Sequence, residues 1–427
     1  MVPPSLSTRQ RLIVALGALI SLLAWLSIRP WDFKAWMIGA PFGRDFVNFW
    51  LAPRLFLAGQ GAVVADIAVY RDAVMATFGI TDDPKLLFVY PPHTLLFLAP
   101  FAPLPFLPGV LVWTALNLAA LAATTRLWLG AAARPGLIFV ICTAPPAGAM
   151  VLYGHFGGLI ALASTLAVLE SRRRPWIAGL CLACLSVKPQ FALALGLILL
   201  GAGRWRWIPA AVLGTAALVA LSAALFGLDS WERFIGVTMP IQSAFITEFK
   251  ARWIAHSVTP YFGARFWGMP AAGAWALQAA TTLLALAAAV AVLRRMGPEA
   301  GPGTEAAPRM DPTALLVVLL APIVMQPYAS HYELAIVAPG LTLLALGRPA
   351  APLALAVWLL IPLARILITF DHPILCVLVP GALFAVAWRL LAPGALSAAV
   401  GAGSARESVS QHPSRAVPVA ARGPAAC

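Results

Sequence analysis

The chain has 427 residues, 61% of them hydrophobic and only 11% charged, with a net charge of +13. Soluble domains carry roughly 45–50% apolar and about 25% charged residues, so the composition excludes an ordinary soluble enzyme and points to the bilayer. The basic residues fall in small clusters between apolar runs, which is a topology signal rather than a polyanion-binding face. The five cysteines are Cys142, Cys181, Cys184, Cys376 and Cys427. Four lie inside apolar runs, and the C-x-x-C of Cys181 and Cys184 sits among Leu and Ala with no histidine nearby. Neither a disulfide framework nor a zinc site is expected.

Arg9 and Arg11 precede the first apolar run, Leu12 to Ile28, which approaches the ~20 residues of a spanning helix. It lacks a small-residue cleavage pattern and reads as a retained signal anchor. With those arginines inside, Arg29 to His93 lies outside, on the periplasmic side in a Gram-negative cell. Within this loop Phe46 to Ala58 and Ile67 to Phe78 carry apolar residues at helical spacing, as amphipathic helices on a membrane surface do. The loop ends in Phe88-Val89-Tyr90-Pro91-Pro92-His93, where two prolines fix the backbone as it turns back. The next apolar piece, Thr94 to Pro103, is short and followed by Pro105 and Pro108. Read as a re-entrant dip, it brings Arg126, Arg134, Arg172, Arg173, Arg174, Arg204, Arg206, Arg294, Arg295, Arg348 and Arg389 all to the cytoplasmic side. Irregular backbone at that depth is tolerated where it lines a protein cavity.

Eleven further apolar runs follow between 109 and 392, several shorter than ~20 residues and so tilted or incomplete. The expectation is an all-α polytopic integral membrane protein with about twelve transmembrane helices, a short re-entrant segment and cytoplasmic termini. Residues 1–392 form the membrane domain, with external loops at about 29–93 and 228–270 and a cytoplasmic linker at 296–311. Residues 393–427, rich in Ala, Gly, Ser, Pro and Arg, read as a disordered cytoplasmic tail.

This topology, drawn from arginines alone, gathers other polar residues at external span ends: Asp45, Tyr90, His93, Tyr153, His155, Lys188, Gln190, His256, Gln326, Tyr328, His331, Tyr332 and the pair Asp371 and His372. Ionisable groups at membrane depth are costly and tend to be functional, so the active face is expected outside. Asp45, beside Arg44 in Gly43-Arg44-Asp45-Phe46-Val47-Asn48-Phe49-Trp50, is the candidate general base in a chain with only 16 acids. Lys188, in Ser186-Val187-Lys188-Pro189-Gln190, sits at a proline break between apolar runs. It either snorkels to the headgroups or holds a lipid-linked phosphate with a compact ammonium. His331 follows another proline in Gln326-Pro327-Tyr328-Ala329-Ser330-His331-Tyr332-Glu333, and Glu333 needs a partner for which His331 is the nearest candidate. His155 lies in the glycine-rich turn Tyr153-Gly154-His155-Phe156-Gly157-Gly158, which could let a ligand come close. His256 and Arg252 lie in the second loop, where a soluble segment can carry them without a catalytic reason.

In order and spacing these motifs resemble glycosyltransferase family 87: an Asp in a G-x-D-F context after the first span, the Y-P-P, the Tyr-Gly turn, a basic cluster, a K-P and a late His after Pro. The matching stretches are Gly43 to Gly59, Phe88 to Pro105, Tyr153 to Arg206 and Gln326 to Leu346. The resemblance implies a GT-C type membrane enzyme that uses a polyprenyl-phosphate sugar, mannose above all, at the outer face. It further implies an acceptor that is a lipid or glycan, Asp45 as the catalytic Asp, and Lys188 and His331 near the donor phosphate. Arg44, Tyr90, His155, Gln190, His256 and Tyr328 complete the expected substrate-binding set. The chain departs from the family in having His155 and Gly158 where Gln and Asn are usual, and a single His331 followed by Tyr332 where paired histidines are common.

The chemistry fits without the family. Sugar transfer from a phosphate ester needs a base for the acceptor hydroxyl and cations for the departing phosphate. One carboxylate suffices for direct inversion, whereas a retaining double displacement needs a second as nucleophile. No D-x-D pair is seen outside, although Asp82 and Asp83 are adjacent; no metal, cofactor or nucleic-acid partner is required. The expected location is the inner (plasma) membrane. The main alternative is a lipid or lipid-linked-sugar transporter or flippase, whose polar residues spread through mid-span in repeated halves. No internal repeat is evident here. A polysaccharide polymerase or ligase with a large late external loop and a non-catalytic scaffold are further alternatives.

Overall fold

A computed structural model describes residues 6–27, 43–79, 86–248, 257–296, 310–347, 352–364, 367 and 372–392. The tail 393–427, Asp82, Asp83, His256 and Asp371 lie outside the described residues. All regular secondary structure among the described residues is helical, apart from one isolated antiparallel bridge between Ser257 and Ser330.

Prolines set many of the helix boundaries. Pro135, Pro145, Pro175, Pro189, Pro260, Pro312 and Pro352 each open a helix, the position at which the missing N–H costs nothing. The long apolar stretches are therefore cut into pieces. Three described helices are long and apolar enough to cross a membrane: the one extending from Phe106 to Ala132, Ile208–Phe226 and Ala271–Arg295. Pro135–Cys142 and Pro145–Tyr153 together make a fourth, bent by 53° at the break. Gly157–Glu170, Pro175–Leu185, Pro189–Gly201, Pro312–Met325 and Leu375–Leu391 are apolar but shorter. They fall where the sequence places spans, yet length and composition alone support fewer full crossings than about twelve.

The buried core lies where these short helices meet. Pro312–Met325 is buried along nearly its whole length, from Ala314 to Met325. A helix apolar all round belongs inside a bundle rather than on its lipid face. Ile208–Phe226 is the opposite case, with only Ser222 buried.

The stretch read as the first external loop carries helices Arg44–Leu57 and Ile67–Phe78 where periodicity predicts helix, and a further short helix, Gly61–Ala65. Arg44–Leu57 is buried from Phe46 through Pro53 rather than lying on a surface by one face. Thr94–Leu98 is a five-residue helix continued by a 3-10 turn, Ala99–Phe101. It is too short to cross and returns into the long Phe106–Leu129 helix. The second loop is a run of helix, Asp229–Arg233 and Met239–Glu248, joined by the π-helical turn Phe234–Thr238.

Candidate active site

Asp45 is held by a junction of two turns. Gly43 caps the Arg44–Leu57 helix with φ 74°, and its N–H donates to the Leu152 carbonyl at 2.7 Å. Opposite it, Gly154 ends the Pro145–Tyr153 helix with φ 67°. A Cβ on Gly154 would lie 2.7 Å from the Gly43 Cα and 2.9 Å from the Phe46 Cβ. Both positions therefore need glycine, for the left-handed backbone and for the contact. Trp113 donates its indole N–H to the Gly154 carbonyl at 2.9 Å and fixes the second turn. Phe46 packs on Phe101, Phe106 and Trp113, and Phe49 on Tyr90, Trp113 and Phe156. The other end of the helix is tied to the turn after Ala99–Phe101, where Trp50 donates to the Leu104 carbonyl at 2.7 Å and Arg54 to the Ala102 carbonyl at 2.6 Å.

Asp45 thus projects from the first turn of a rigid helix into a cavity of about 440 Å³. The polar wall is Arg44, Asp45, Asn48, Tyr90, Lys188, Gln190, Gln242, Tyr328, Tyr332 and Glu333. The apolar wall includes Leu86, Leu87, Val89, Leu193, Phe234, Met239 and Ile246. Arg44 Nη1 lies 3.8 Å from Asp45 Oδ1, and the Tyr332 hydroxyl hydrogen-bonds the same carboxylate. Burial raises the Asp45 pKa above the ordinary carboxylate value, with Glu333 adding to the rise. Arg44, Tyr332 and Lys188 pull the other way without cancelling it.

Lys188 is the residue before Pro189, and its backbone (φ −123°, ψ 80°) is outside the helical region, as a residue preceding proline should be. The break turns its side chain into the bundle, where Nζ meets Glu333 Oε1 at 2.8 Å. The partner of Glu333 is therefore Lys188, not the neighbouring His331 that proximity in sequence suggests. Glu333 is itself positioned by a capping box with Ser330 at the start of the 3-10 helix His331–Val337. Ser330 in turn donates to the Tyr328 hydroxyl at 3.2 Å.

The histidines sit behind this wall rather than on it. The His155 ring stacks on Phe156 at 4.3 Å and on Tyr332 at 4.4 Å. His331 is buried with its ring against Tyr153, 5.2 Å, and Tyr332, 5.6 Å. What approaches the glycines of the His155 turn is protein: Gly43 at Gly154, and the Asn117 carbonyl at Gly158. His93 shares a hydrogen bond with Ser186 Oγ at 2.9 Å and stacks on Trp231 at 5.7 Å. Of the residues expected from sequence, Arg44, Asp45, Tyr90, Lys188, Gln190 and Tyr328 come together on one cavity, whereas His155 and His331 do not line it. Sequence reasoning missed Tyr332 and Glu333 as wall residues, and the contribution of Phe234, Met239, Gln242 and Ile246.

Among the described residues the protein is helical, and one cavity joins an acid, cations and apolar side chains, as an enzyme's active site does. The family model for glycosyltransferase family 87 matches residues 88–322, more than half of the chain. The chain belongs to glycosyltransferase family 87, and is a membrane glycosyltransferase. Asp45, Tyr328, His331 and Glu333 lie outside the matched stretch. No curated protein and no solved structure matches the chain.

Proposed function

We propose that the protein transfers a hexose, most readily mannose, from a polyprenyl-phosphate donor to a hydroxyl of a lipid or glycan acceptor. The reaction takes place at the external, periplasmic face of the inner membrane and inverts the anomeric centre, with Asp45 as general base. The observation that carries this reading is the cavity around Asp45. It brings Asp45, two cations and hydrogen-bonding Tyr and Gln side chains together with the apolar side chains of Leu193, Phe234, Met239 and Ile246. A polyprenyl tail needs the second set as much as a sugar phosphate needs the first.

In the proposed step the acceptor oxygen attacks the anomeric carbon, the carbon–oxygen bond to phosphate breaks, and its electron pair leaves on the phosphate. The acceptor proton passes to Asp45. Before the step Arg44 is balanced by Asp45 and Lys188 by Glu333. Protonation of Asp45 frees the Arg44 charge as the phosphate gains its own, so the stabilisation strengthens in the transition state. A raised Asp45 pKa improves the base, provided it stays ionised at working pH.

The test is transfer of radiolabelled sugar from polyprenyl-phosphate-mannose in membranes carrying wild type or Asp45→Asn at equal protein level. Transfer by wild type and its loss in the variant is expected. Equal transfer by both would remove Asp45 from the mechanism, and transfer by neither would remove this donor.

A further inference from the structure

Glu333 is the second acid on the cavity wall, and only half of its carboxylate is used. Oε1 receives the Lys188 ammonium at 2.8 Å and the Ser330 backbone N–H at 3.3 Å. Oε2 is buried and has no hydrogen-bond partner among the described residues, in a side chain only 3% exposed. A buried carboxylate oxygen left without a donor carries a desolvation penalty. Glu333 lines the cavity, so a ligand seated there that displaces the packing over Oε2 can supply that donor.

The chemistry of the missing group is constrained. An anion placed directly on Oε2 is repelled by the carboxylate, and Lys188 lies on the Oε1 side. A neutral donor fits, and sugar hydroxyls are the neutral donors a glycosyltransferase cavity receives. We propose that Glu333 Oε2 accepts a hydrogen bond from a hydroxyl of the donor sugar, so that Glu333 determines which hexose is accepted. The donor rather than the acceptor is favoured because the ion partner of Glu333 is Lys188, the cation proposed beside the donor phosphate. The inference rests on the reading given under Proposed function. The capping box and the ion pair hold Oε1 and thereby aim Oε2, the pre-organisation that hydroxyl discrimination requires.

The experiment uses the full chain in vesicles, with polyprenyl-phosphate-mannose and its 2-, 3-, 4- and 6-deoxy analogues as donors. It compares kcat/KM for wild type, Glu333→Gln and Glu333→Asp. Wild type should lose roughly 10–150-fold on one particular deoxy donor, the range for a hydrogen bond to a charged group. Both variants should reduce that one loss to about threefold or less and leave the other deoxy losses unchanged. Glu333→Asp keeps a negative charge beside Lys188 and so reads out even where Glu333→Gln does not fold. An unchanged pattern of deoxy losses in folded variants overturns the proposal. Equal loss of transfer with every donor also overturns it, and points instead to Glu333 as a nucleophile. Wild type inactive with all of these donors overturns the functional reading itself.

Discussion

Lys188 Nζ and Glu333 Oε1 meet at 2.8 Å with both side chains buried, joining the proline break after one short helix to the capped start of another. Removing one partner of such a pair strands the other charge and costs roughly 3–5 kcal/mol. Lys188→Ala and Glu333→Ala should each lower the melting temperature in detergent well below wild type. Lys188→Met with Glu333→Leu should recover much of that loss while remaining inactive. Equal stability of the single variants and wild type would show that the pair does not hold the fold.

The glycine junction separates two effects of adding a methyl group. Gly154→Ala meets both a left-handed φ and a clash with the Gly43 backbone. Gly59→Ala meets only the φ, 73°, with open space around it, and should cost about 1–2 kcal/mol. Gly154→Ala should be the more destabilised and should lose transfer, since the Asp45 helix cannot keep its place. Thermal unfolding of both variants checks the order.

The pH profile follows from the raised pKa of Asp45. A general base works when ionised, so kcat/KM should fall as pH falls through a value above the ordinary 3.8. Arg44→Met and Tyr332→Phe each remove an interaction that lowers this pKa, and each should move the acid limb to higher pH. Tyr332→Phe should also lose about tenfold in kcat/KM, the scale of one hydrogen bond.

The same shift has a stability sign. An acid whose folded pKa is raised contributes stability below its unfolded value, which is lost as pH rises through the folded value. Above that value ionised Asp45 therefore destabilises the fold. Asp45→Asn should be inactive yet melt no lower than wild type, the trade expected at a site selected for chemistry. A drop in melting temperature would mark Asp45 as structural.

The apolar wall gives a prediction in substrate length. Leu193→Asp and Met239→Asp should raise KM for long-chain polyprenyl donors and change it little for a donor with a tail of a few carbons. Equal effects on both would mean that the tail lies elsewhere.

Much of the site was legible because polar residues are conspicuous in an apolar chain. Asp45, Tyr90, Lys188, Gln190 and Tyr328 stood out at span ends, and the cavity collects them. Pairings were not legible, because they depend on how short helices pack. Lys188 and Glu333 are remote in sequence, and a proline break aims one at the other. Tyr332 was placed with the other polar residues at the external span ends but given no role, whereas its hydroxyl reaches Asp45 and its ring rests on His155. Phe234, Met239 and Ile246 gave no signal, since apolar residues in a loop of a membrane protein look like surface anchors. The helix over Arg44–Leu57 was readable from its apolar spacing, but its burial was not, because Phe46 through Pro53 are buried on every face. The number of full crossings was not readable, because Pro135, Pro175, Pro189, Pro312 and Pro352 divide the apolar runs into pieces of unequal length.

Leu193 and Met239 both line the cavity, and they are 68% and 49% exposed. The cavity wall is thus not sealed by protein at these two positions. On the proposed reading a donor drifts in sideways through the lipid, its tail never leaving oil. The concentration that governs turnover is then its mole fraction in the bilayer, and diluting the vesicles in buffer should leave the rate per enzyme untouched while diluting the donor with inert lipid slows it.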